Sequence, residues 1–137
     1  MTIVGCRIDG RLIHGQVANL WAGKLNVSRI MVVDDEVVNN DVEKSGLKLA
    51  TPPGVKLSIL PIEKAAANIL AGKYDSQRLF IVARKPDRFL GLVEAGASNH
   101  LSAFRLAVVR PCHRLLDAVD QLLHAVPTFA VAVYSRA

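Results

Sequence analysis

The sequence Ile3-Val4-Gly5-Cys6-Arg7-Ile8-Asp9-Gly10-Arg11-Leu12-Ile13-His14-Gly15-Gln16-Val17 contains the connection on which the fold assignment rests. Its apolar start, residues 3–8, predicts a strand. Val17, Leu20 and Trp21 then follow with the spacing of one buried helix face. In open α/β sheets, ligands bind outside the carboxyl ends of the strands, and the free N–H groups that begin a helix attract anions. The polar turn between this strand and this helix is therefore a candidate phosphoryl-binding site.

Strand-like and helix-like patterns alternate along the rest of the chain. We predict strands at residues 3–8, 29–33, 55–60, 78–83, 104–109 and 128–134. We predict helices at residues 15–25, 36–50, 62–71, 85–96 and 115–125. Strands and helices in strict alternation, with short connections, predict right-handed βαβ units. The predicted fold class is α/β, with an open, mainly parallel sheet covered by helices on both faces, in a single domain spanning residues 1–137.

Composition excludes several classes of protein. The chain is 51% hydrophobic, which is typical of a globular domain, and its apolar runs are shorter than the ~20 residues that span a bilayer. The net charge of +5 is dispersed and accompanied by only 5% aromatic residues, so we expect no nucleic-acid partner. Cys6 and Cys112 are too few for a disulfide framework and predict reduced thiols in a cytoplasmic protein. His100, His113 and His124 lack metal-ligand spacing, so we expect no metal site.

His14 is the candidate nucleophile of the turn. A helix N-terminus disfavours the imidazolium form, which leaves one ring nitrogen with a free lone pair. The same helix dipole, together with the N–H groups of Gly15 and Gln16, would stabilise a phosphoryl group once it is attached. Spacing alone also fits a surface or capping histidine, so the catalytic role is a hypothesis at this point.

The other polar residues of the turn suit the same chemistry. Arg11 can bind phosphate oxygens in bidentate fashion, and Gly10, like Gly15, would permit unusual dihedral angles and close approach to an anion. Asp9 would orient Arg11 or the imidazole, or would simply pair with Arg11 or Arg7 as a brace. Asp34, Asp35 and Glu36 follow the next strand, where acidic residues commonly cap a helix.

These residues carry a family resemblance. The segment Arg7–Val17 closely resembles the signature of the enzyme IIB component of the mannose family of the bacterial sugar phosphotransferase system. The similarity continues in order through four further segments and covers about the first 96 residues. These segments are residues 29–37, Pro52-Pro53-Gly54-Val55, Lys85-Pro86-Asp87 and Leu92-Val93-Glu94-Ala95-Gly96.

The resemblance implies a phosphocarrier. His14 would accept a phosphoryl group from the phosphohistidine of enzyme IIA and pass it to a sugar bound by the membrane components IIC and IID. Arg11 would be its phosphate partner. Asp9, Gly10, Gly15 and Gln16 would shape the loop, and Asp34, Asp35 and Lys85 would be neighbours of the site. The resemblance implies no cofactor and a cytoplasmic location beside the transporter at the inner membrane.

The chain departs from the family pattern after Gly96. No lysine follows Lys85, and three of the four histidines lie beyond residue 99. We therefore expect residues 97–137 to be encoded out of frame or otherwise replaced, with strands that lack proper partners in the sheet.

Two alternative functions remain open from the sequence. One is a binding module of the same fold that docks enzyme IIA without transferring phosphate. The other is a receiver-type signalling domain, in which Asp34, Asp35 and Lys85 would form the acidic pair and the lysine. The receiver-type alternative lacks an acceptor aspartate after the strand at residues 55–60, where Pro61 follows instead.

Overall fold

A six-stranded sheet is the centre of the molecule. The computed structural model describes residues 2–13, 22–97, 105–109 and 130–134. The strands are β1 (Thr2–Ile8), β2 (Arg29–Val33), β3 (Lys56–Leu60), β4 (Arg78–Ala83), β5 (Arg105–Val109) and β6 (Ala130–Tyr134). The helical segments are α1 (Ala22–Lys24), α2 (Asp41–Ala50), α3 (Ile62–Leu70) and α4 (Pro86–Leu92). A 3-10 turn, Val37–Asn39, precedes α2, and a π turn, Val93–Ala97, follows α4.

The strands lie in the order β3-β2-β4-β1-β5-β6 and all pair in parallel. Parallel neighbours need crossover connections, which are right-handed almost without exception. The path outward from β1 to β2 and β3 therefore places α1 and α2 on one face. The path back through β4 towards β5 places α3 and α4 on the other. The predicted α/β fold with helices on both faces is confirmed.

Each face of the sheet has its own hydrophobic core. The core under α3 and α4 contains side chains from β1, β2 and β4 that include Ile8, Met31 and Ile81. The core under α1 and α2 contains the intervening side chains of β2 and β4, among them Val32 and Phe80. Because successive strand residues point to opposite faces, a continuous apolar run such as β2 fills both cores.

A β-bulge lies in the first half of β1. Ile3, Cys6 and Ile8 all pack in the core under α3 and α4, although regular alternation would place Ile3 opposite the other two. The pairing with β4 shifts between Ile3 and Gly5, so one extra residue resets the alternation. Gly5 suits this position because a Cβ atom would lie 3.0 Å from the ring of Phe80, which would have to move to accept it.

The predicted strands β2 and β4 match the structure at both ends, but the helix predicted from Glu36 to Ala50 begins too early. Asn40 is the N-cap of α2, and its side chain accepts a hydrogen bond from the N–H of Glu43 at 3.1 Å. The prediction was wrong because a separate 3-10 turn occupies residues 37–39. Of the helix predicted at residues 15–25, Ala22–Lys24 is helical, and residues 14–21 lie outside the described residues, as does the predicted helix at 115–125.

The last two strands have regular partners. Leu106–Val108 of β5 pair with Cys6–Ile8 of β1, and β6 pairs with β5 along its full length. The expectation that the chain after residue 96 would leave the sheet without paired strands was therefore wrong. Apolar β-branched residues in both segments explain the result, because they suit a pleated, half-buried surface whatever sequence surrounds them.

Candidate functional site

Asp9 organises the turn that follows β1. Its N–H donates to the carbonyl oxygen of Ala83 at 2.9 Å, which ties the turn to the end of β4. Its buried carboxylate accepts hydrogen bonds at Oδ2 from Arg7 Nη2 at 3.0 Å and from Arg7 Nε at 3.3 Å. Oδ1 accepts the N–H of Arg11 at 3.0 Å. A buried charge needs both a counter-ion and hydrogen bonds, and Asp9 has both.

The brace that the sequence suggested is thus formed chiefly with Arg7. The side chain of Arg7 is 2% exposed, whereas that of Arg11 is 43% exposed and its Nε lies 3.9 Å from Asp9 Oδ1. Asp9 therefore holds the backbone of Arg11 and leaves the guanidinium largely in solvent. An exposed guanidinium on a fixed backbone is well placed to bind an anion.

The two residues after Arg11 fix the turn from the other side. Leu12 and Ile13 are both buried in the core under α1 and α2. The N–H of Leu12 donates to the carbonyl oxygen of Asp9 at 3.0 Å, and Leu12 has a φ of 56°. Among residues 9–13 of the turn, the left-handed φ is that of Leu12 and not of Gly10, so the unusual dihedral angle expected at this glycine is not present. A leucine in this conformation is strained, and its buried side chain holds it there.

His14, Gly15 and Gln16 lie outside the described residues. Their predicted roles as nucleophile and as N–H donors remain predictions. The described part of the turn ends at Ile13, the residue that precedes His14 in the chain.

Asp34 and Asp35, the predicted neighbours of the site, cap backbone N–H groups at the end of β2. Asp34 is buried, and its Oδ1 accepts the N–H groups of Glu36 at 2.8 Å and Val37 at 3.1 Å. Asp35 Oδ1 accepts the N–H of Ile62 at 2.9 Å and so caps α3 across the sheet. Both residues are caps, but Asp34 caps the 3-10 turn and Asp35 caps α3, whereas the sequence suggested that they cap the helix that directly follows them.

Asp34 also lies near an arginine that the sequence analysis did not single out. Its Oδ2 is 3.6 Å from Nε of Arg88 on α4, and neither atom has a hydrogen-bond partner among the described residues. Arg88 also lies 3.5 Å from a carboxylate oxygen of Glu36 and 3.0 Å from one of Asp87. This cluster joins α4 to the end of β2 by charge.

A cleft opens beside the turn at the carboxyl edge of the sheet. Its volume is about 220 Å³, and its lining residues are Arg11, Leu12, Ile13, Glu43, Gly46, Leu47 and Arg84. Arg84 and Glu43 face each other across it, with Arg84 Nη2 2.9 Å from Glu43 Oε1. Lys85, predicted as a site residue, is exposed and is the N-cap of α4.

Sequence reasoning missed Arg84 and Glu43. The signal for Arg84 was its place directly after β4, next to the predicted Lys85. Sheet order was the missing information, because only the adjacency of β4 and β1 brings Arg84 beside Arg11. Glu43 lay inside a predicted helix and resembled any solvated acid.

Comparison with known proteins agrees with this geometry. Residues 3–105 match the family model described as PTS system sorbose subfamily IIB component. The chain belongs to this IIB family. The assignment confirms the resemblance to the mannose-type phosphotransferase system and excludes the receiver-type alternative.

The relatives of this IIB chain include curated proteins from several bacteria. It is 40% identical to the sorbose-specific EIIB component of Lacticaseibacillus casei over 96 residues, which are 70% of this chain and 58% of that protein. It is 42% identical over 96 residues to the mannose-specific EIIAB component of Escherichia coli K12, covering 70% of this chain and 30% of that protein. The chain thus spans less than two thirds of the length of these relatives.

A solved structure extends the similarity to the whole fold. The IIBSor domain of the sorbose permease from Klebsiella pneumoniae superposes with a TM-score of 0.81 and 28% identity. The superposition covers 99% of this IIB chain and 88% of that domain. In the part of the chain that the structure describes, no helix is long and apolar enough to cross a membrane.

Proposed function

We propose that this chain is a phosphocarrier, a protein-phosphohistidine–sugar phosphotransferase component. His14 accepts a phosphoryl group from phosphorylated enzyme IIA and donates it to a sugar at the membrane components IIC and IID. The observation that carries the proposal is the turn fixed by Asp9, which presents Arg11 at an open cleft three residues before His14 in a chain of the IIB family.

Each half of the transfer is balanced without a cofactor. The N–P bond of the donor phosphohistidine breaks as a ring nitrogen of His14 forms a new N–P bond. In the second half, that bond breaks as a sugar hydroxyl oxygen forms a bond to phosphorus, and the proton that the hydroxyl loses balances the one that the imidazole of His14 regains. Such transfers depend mainly on positioning and on neutralising charge on the phosphoryl oxygens. Arg11 meets the second need, and Asp9 meets the first by fixing the backbone of Arg11.

The name of one relative supports the proposed phosphoryl donor. The mannose-specific relative of Escherichia coli is named an EIIAB component, so in that protein a IIA part and a IIB part share one chain. We assign a separate or fused enzyme IIA as phosphoryl donor here, and the membrane components IIC and IID with bound sugar as acceptor. This assignment places the chain in the cytoplasm beside the transporter at the inner membrane.

Transfer of radiolabel from phosphorylated enzyme IIA tests the proposal. The wild-type chain should become labelled, and the label should be labile to acid and stable to base, as expected of phosphohistidine. His14→Ala should remain unlabelled, whereas matched replacements of His100, His113 and His124 should label normally. Arg11→Ala should slow labelling about a hundredfold, the usual cost of removing a donor to developing negative charge.

The same assay separates the alternative function. A binding module without transfer activity would bind enzyme IIA and remain unlabelled in the wild type. Persistent labelling of His14→Ala would remove His14 from its assigned role.

We also propose that residues 1–137 form one IIB domain whose part after residue 96 has been replaced or is read out of frame. The absence of lysine after Lys85 supports a change near this boundary, and the family model ends a short way beyond it, at residue 105. Sequencing the gene tests it. A one-base shift near codon 97 should restore the family pattern, and failure of every alternative frame would reject the frame-shift origin.

A further inference from the structure

Arg84 lies beside the Asp9 turn because the strands that precede the two residues, β4 and β1, are neighbours in the sheet. Ala83, the last residue of β4, pairs with Ile8, the last residue of β1, and its carbonyl oxygen accepts the N–H of Asp9. Asp9 and Arg84, the residues that follow, therefore leave the sheet at the same place. Arg84 and Arg11 consequently reach the cleft from adjacent strands.

The cleft that Arg11 and Arg84 line suits an anion. Leu12, Ile13 and Leu47 form its apolar part, and Gly46 adds no side chain to its wall. A volume of about 220 Å³ exceeds several-fold the ~30 Å³ share of one liquid water, so a phosphoryl group can enter. Apolar residues beside a guanidinium lower the local dielectric constant and so strengthen its attraction for a phosphate oxygen.

Glu43 opposes an anion in the same cleft. Its carboxylate would repel a phosphoryl group, but Arg84 neutralises it through the contact of 2.9 Å between Nη2 and Oε1. The two side chains are 25% and 38% exposed, and ion pairs that are exposed to this degree are weak. A guanidinium has five N–H donors in a planar fork, so Arg84 can exchange the carboxylate for a phosphoryl group with little movement.

We propose that Arg84 is a second phosphate-binding residue of the cleft and that Glu43 holds it when no phosphoryl group is present. The proposal rests on the phosphocarrier function. As the N–P bond to His14 forms, Arg84 leaves Glu43 and binds phosphoryl oxygens opposite Arg11. When the group departs to the sugar, the ion pair with Glu43 forms again. No proton or electron is exchanged in this switch.

Titration with inorganic phosphate, followed by NMR shifts of backbone amides, tests the proposal in the full chain. Arg84→Met should weaken phosphate binding about tenfold, the scale of a lost hydrogen bond to a charged group. Glu43→Gln should strengthen it about threefold, because Arg84 is released from a weak ion pair. A pair that only braced the fold would give changes of the same sign in both variants, and that result would overturn the proposal.

Two further variants identify the source of any change. In Arg84→Met/Glu43→Gln, the gain from Glu43→Gln should largely disappear; an equal gain with and without Arg84 would assign the effect to lost repulsion alone and reject the proposal. Arg78→Met is the matched control, since Arg78 begins the strand that Arg84 follows and contacts the carbonyl oxygens of Leu25 and Asn26 at the opposite edge. Its phosphate affinity should equal that of the wild type.

The labelling assay separates this proposal from the function on which it rests. Absence of label on the wild type from enzyme IIA would reject the phosphocarrier function, whatever the phosphate titration shows. If the wild type is labelled normally and Arg84→Met binds phosphate as tightly as the wild type, the phosphocarrier function stands and only the proposed role of Arg84 is rejected. Arg84→Lys should recover only part of the affinity, because lysine keeps the charge and loses the bidentate fork.

Discussion

Replacement of Asp9 by asparagine should destabilise the protein severely. The Arg7 and Asp9 side chains are 2% and 3% exposed, and their closest atoms are 3.0 Å apart. At an effective dielectric constant of ~20, two unit charges at that distance attract by about 5.5 kcal/mol. Asparagine is nearly isosteric and can still accept the N–H of Arg11, so the change removes the charge and keeps the turn. The buried guanidinium of Arg7 then loses its ion pair with the carboxylate of Asp9.

The expected loss in the free energy of unfolding is about 3–5 kcal/mol, the usual cost of breaking a buried pair from one side. With a urea m-value of about 2 kcal/mol/M for a chain of this size, the midpoint of unfolding should fall by about 2 M. Urea titration followed by circular dichroism measures it. Arg7→Met/Asp9→Asn should recover much of the loss, because the double variant removes both charges of this pair.

An exposed pair provides the control. Asp87 contacts Arg88 at the same 3.0 Å but is 54% exposed, so Asp87→Asn should change the free energy of unfolding by less than ~1 kcal/mol. A loss below ~1 kcal/mol for Asp9→Asn, or additive effects of the Arg7 and Asp9 replacements, would refute the conclusion that this pair fixes the turn.

Three further predictions concern other features of the fold. Gly5→Ala should lower stability by about 1–3 kcal/mol, because its Cβ atom would press on the ring of Phe80; thermal unfolding measures it. Asp35→Ala should cost about 1 kcal/mol through loss of the hydrogen bond to the N–H of Ile62, measured by urea titration. Burial raises the pKa of the Cys6 thiol, so Cys6 should resist alkylation in the native state, and stability should fall as the pH rises above the ordinary thiol pKa, where only the unfolded chain loses the proton.

Each of these predictions has its own control or contrary outcome. Gly23→Ala, where a Cβ atom would meet nothing within 4 Å, should leave the melting temperature nearly unchanged. An unchanged urea midpoint in Asp35→Ala would show that the contact with α3 contributes nothing. Alkylation is measured in a Cys112→Ser background, and native modification of Cys6 as fast as that of the denatured chain would contradict its burial.

The sequence was most informative about elements whose residues interact locally or are buried on both faces. β2 and β4 are continuous apolar runs bounded by polar residues, and both ends of each were predicted correctly. The start of α2 was wrong because Asp34 and Asn40 each cap a different turn. Competition between two caps a few residues apart depends on their three-dimensional contacts, which a periodic pattern does not contain.

The same distinction applies to the candidate site: its local features could be predicted, and its contacts between distant segments could not. The chain segment with Asp9 and Arg11 was predicted because chemistry and position coincide in one turn. The opposing half, Arg84 with Glu43, comes from two segments 41 residues apart. Their meeting depends on strand order, and no pattern within either segment determines that order. The sequence also could not decide between Arg7 and Arg11 as the partner of Asp9, because it does not show to which face of the sheet the side chain of Arg7 points.

Because of the bulge in β1, the number of residues in that strand determines which of its side chains share a face of the sheet. The extra residue allows Ile3 to lie on the same face as Cys6 and Ile8 although it is three positions from Cys6. Removing Val4 would leave Ile3 two positions from Cys6, so regular alternation would keep it on that face. A deletion in the regular half of the strand would instead reverse the facing of every earlier residue relative to the Asp9 turn, and it should therefore disable the protein far more thoroughly than a deletion at the bulge.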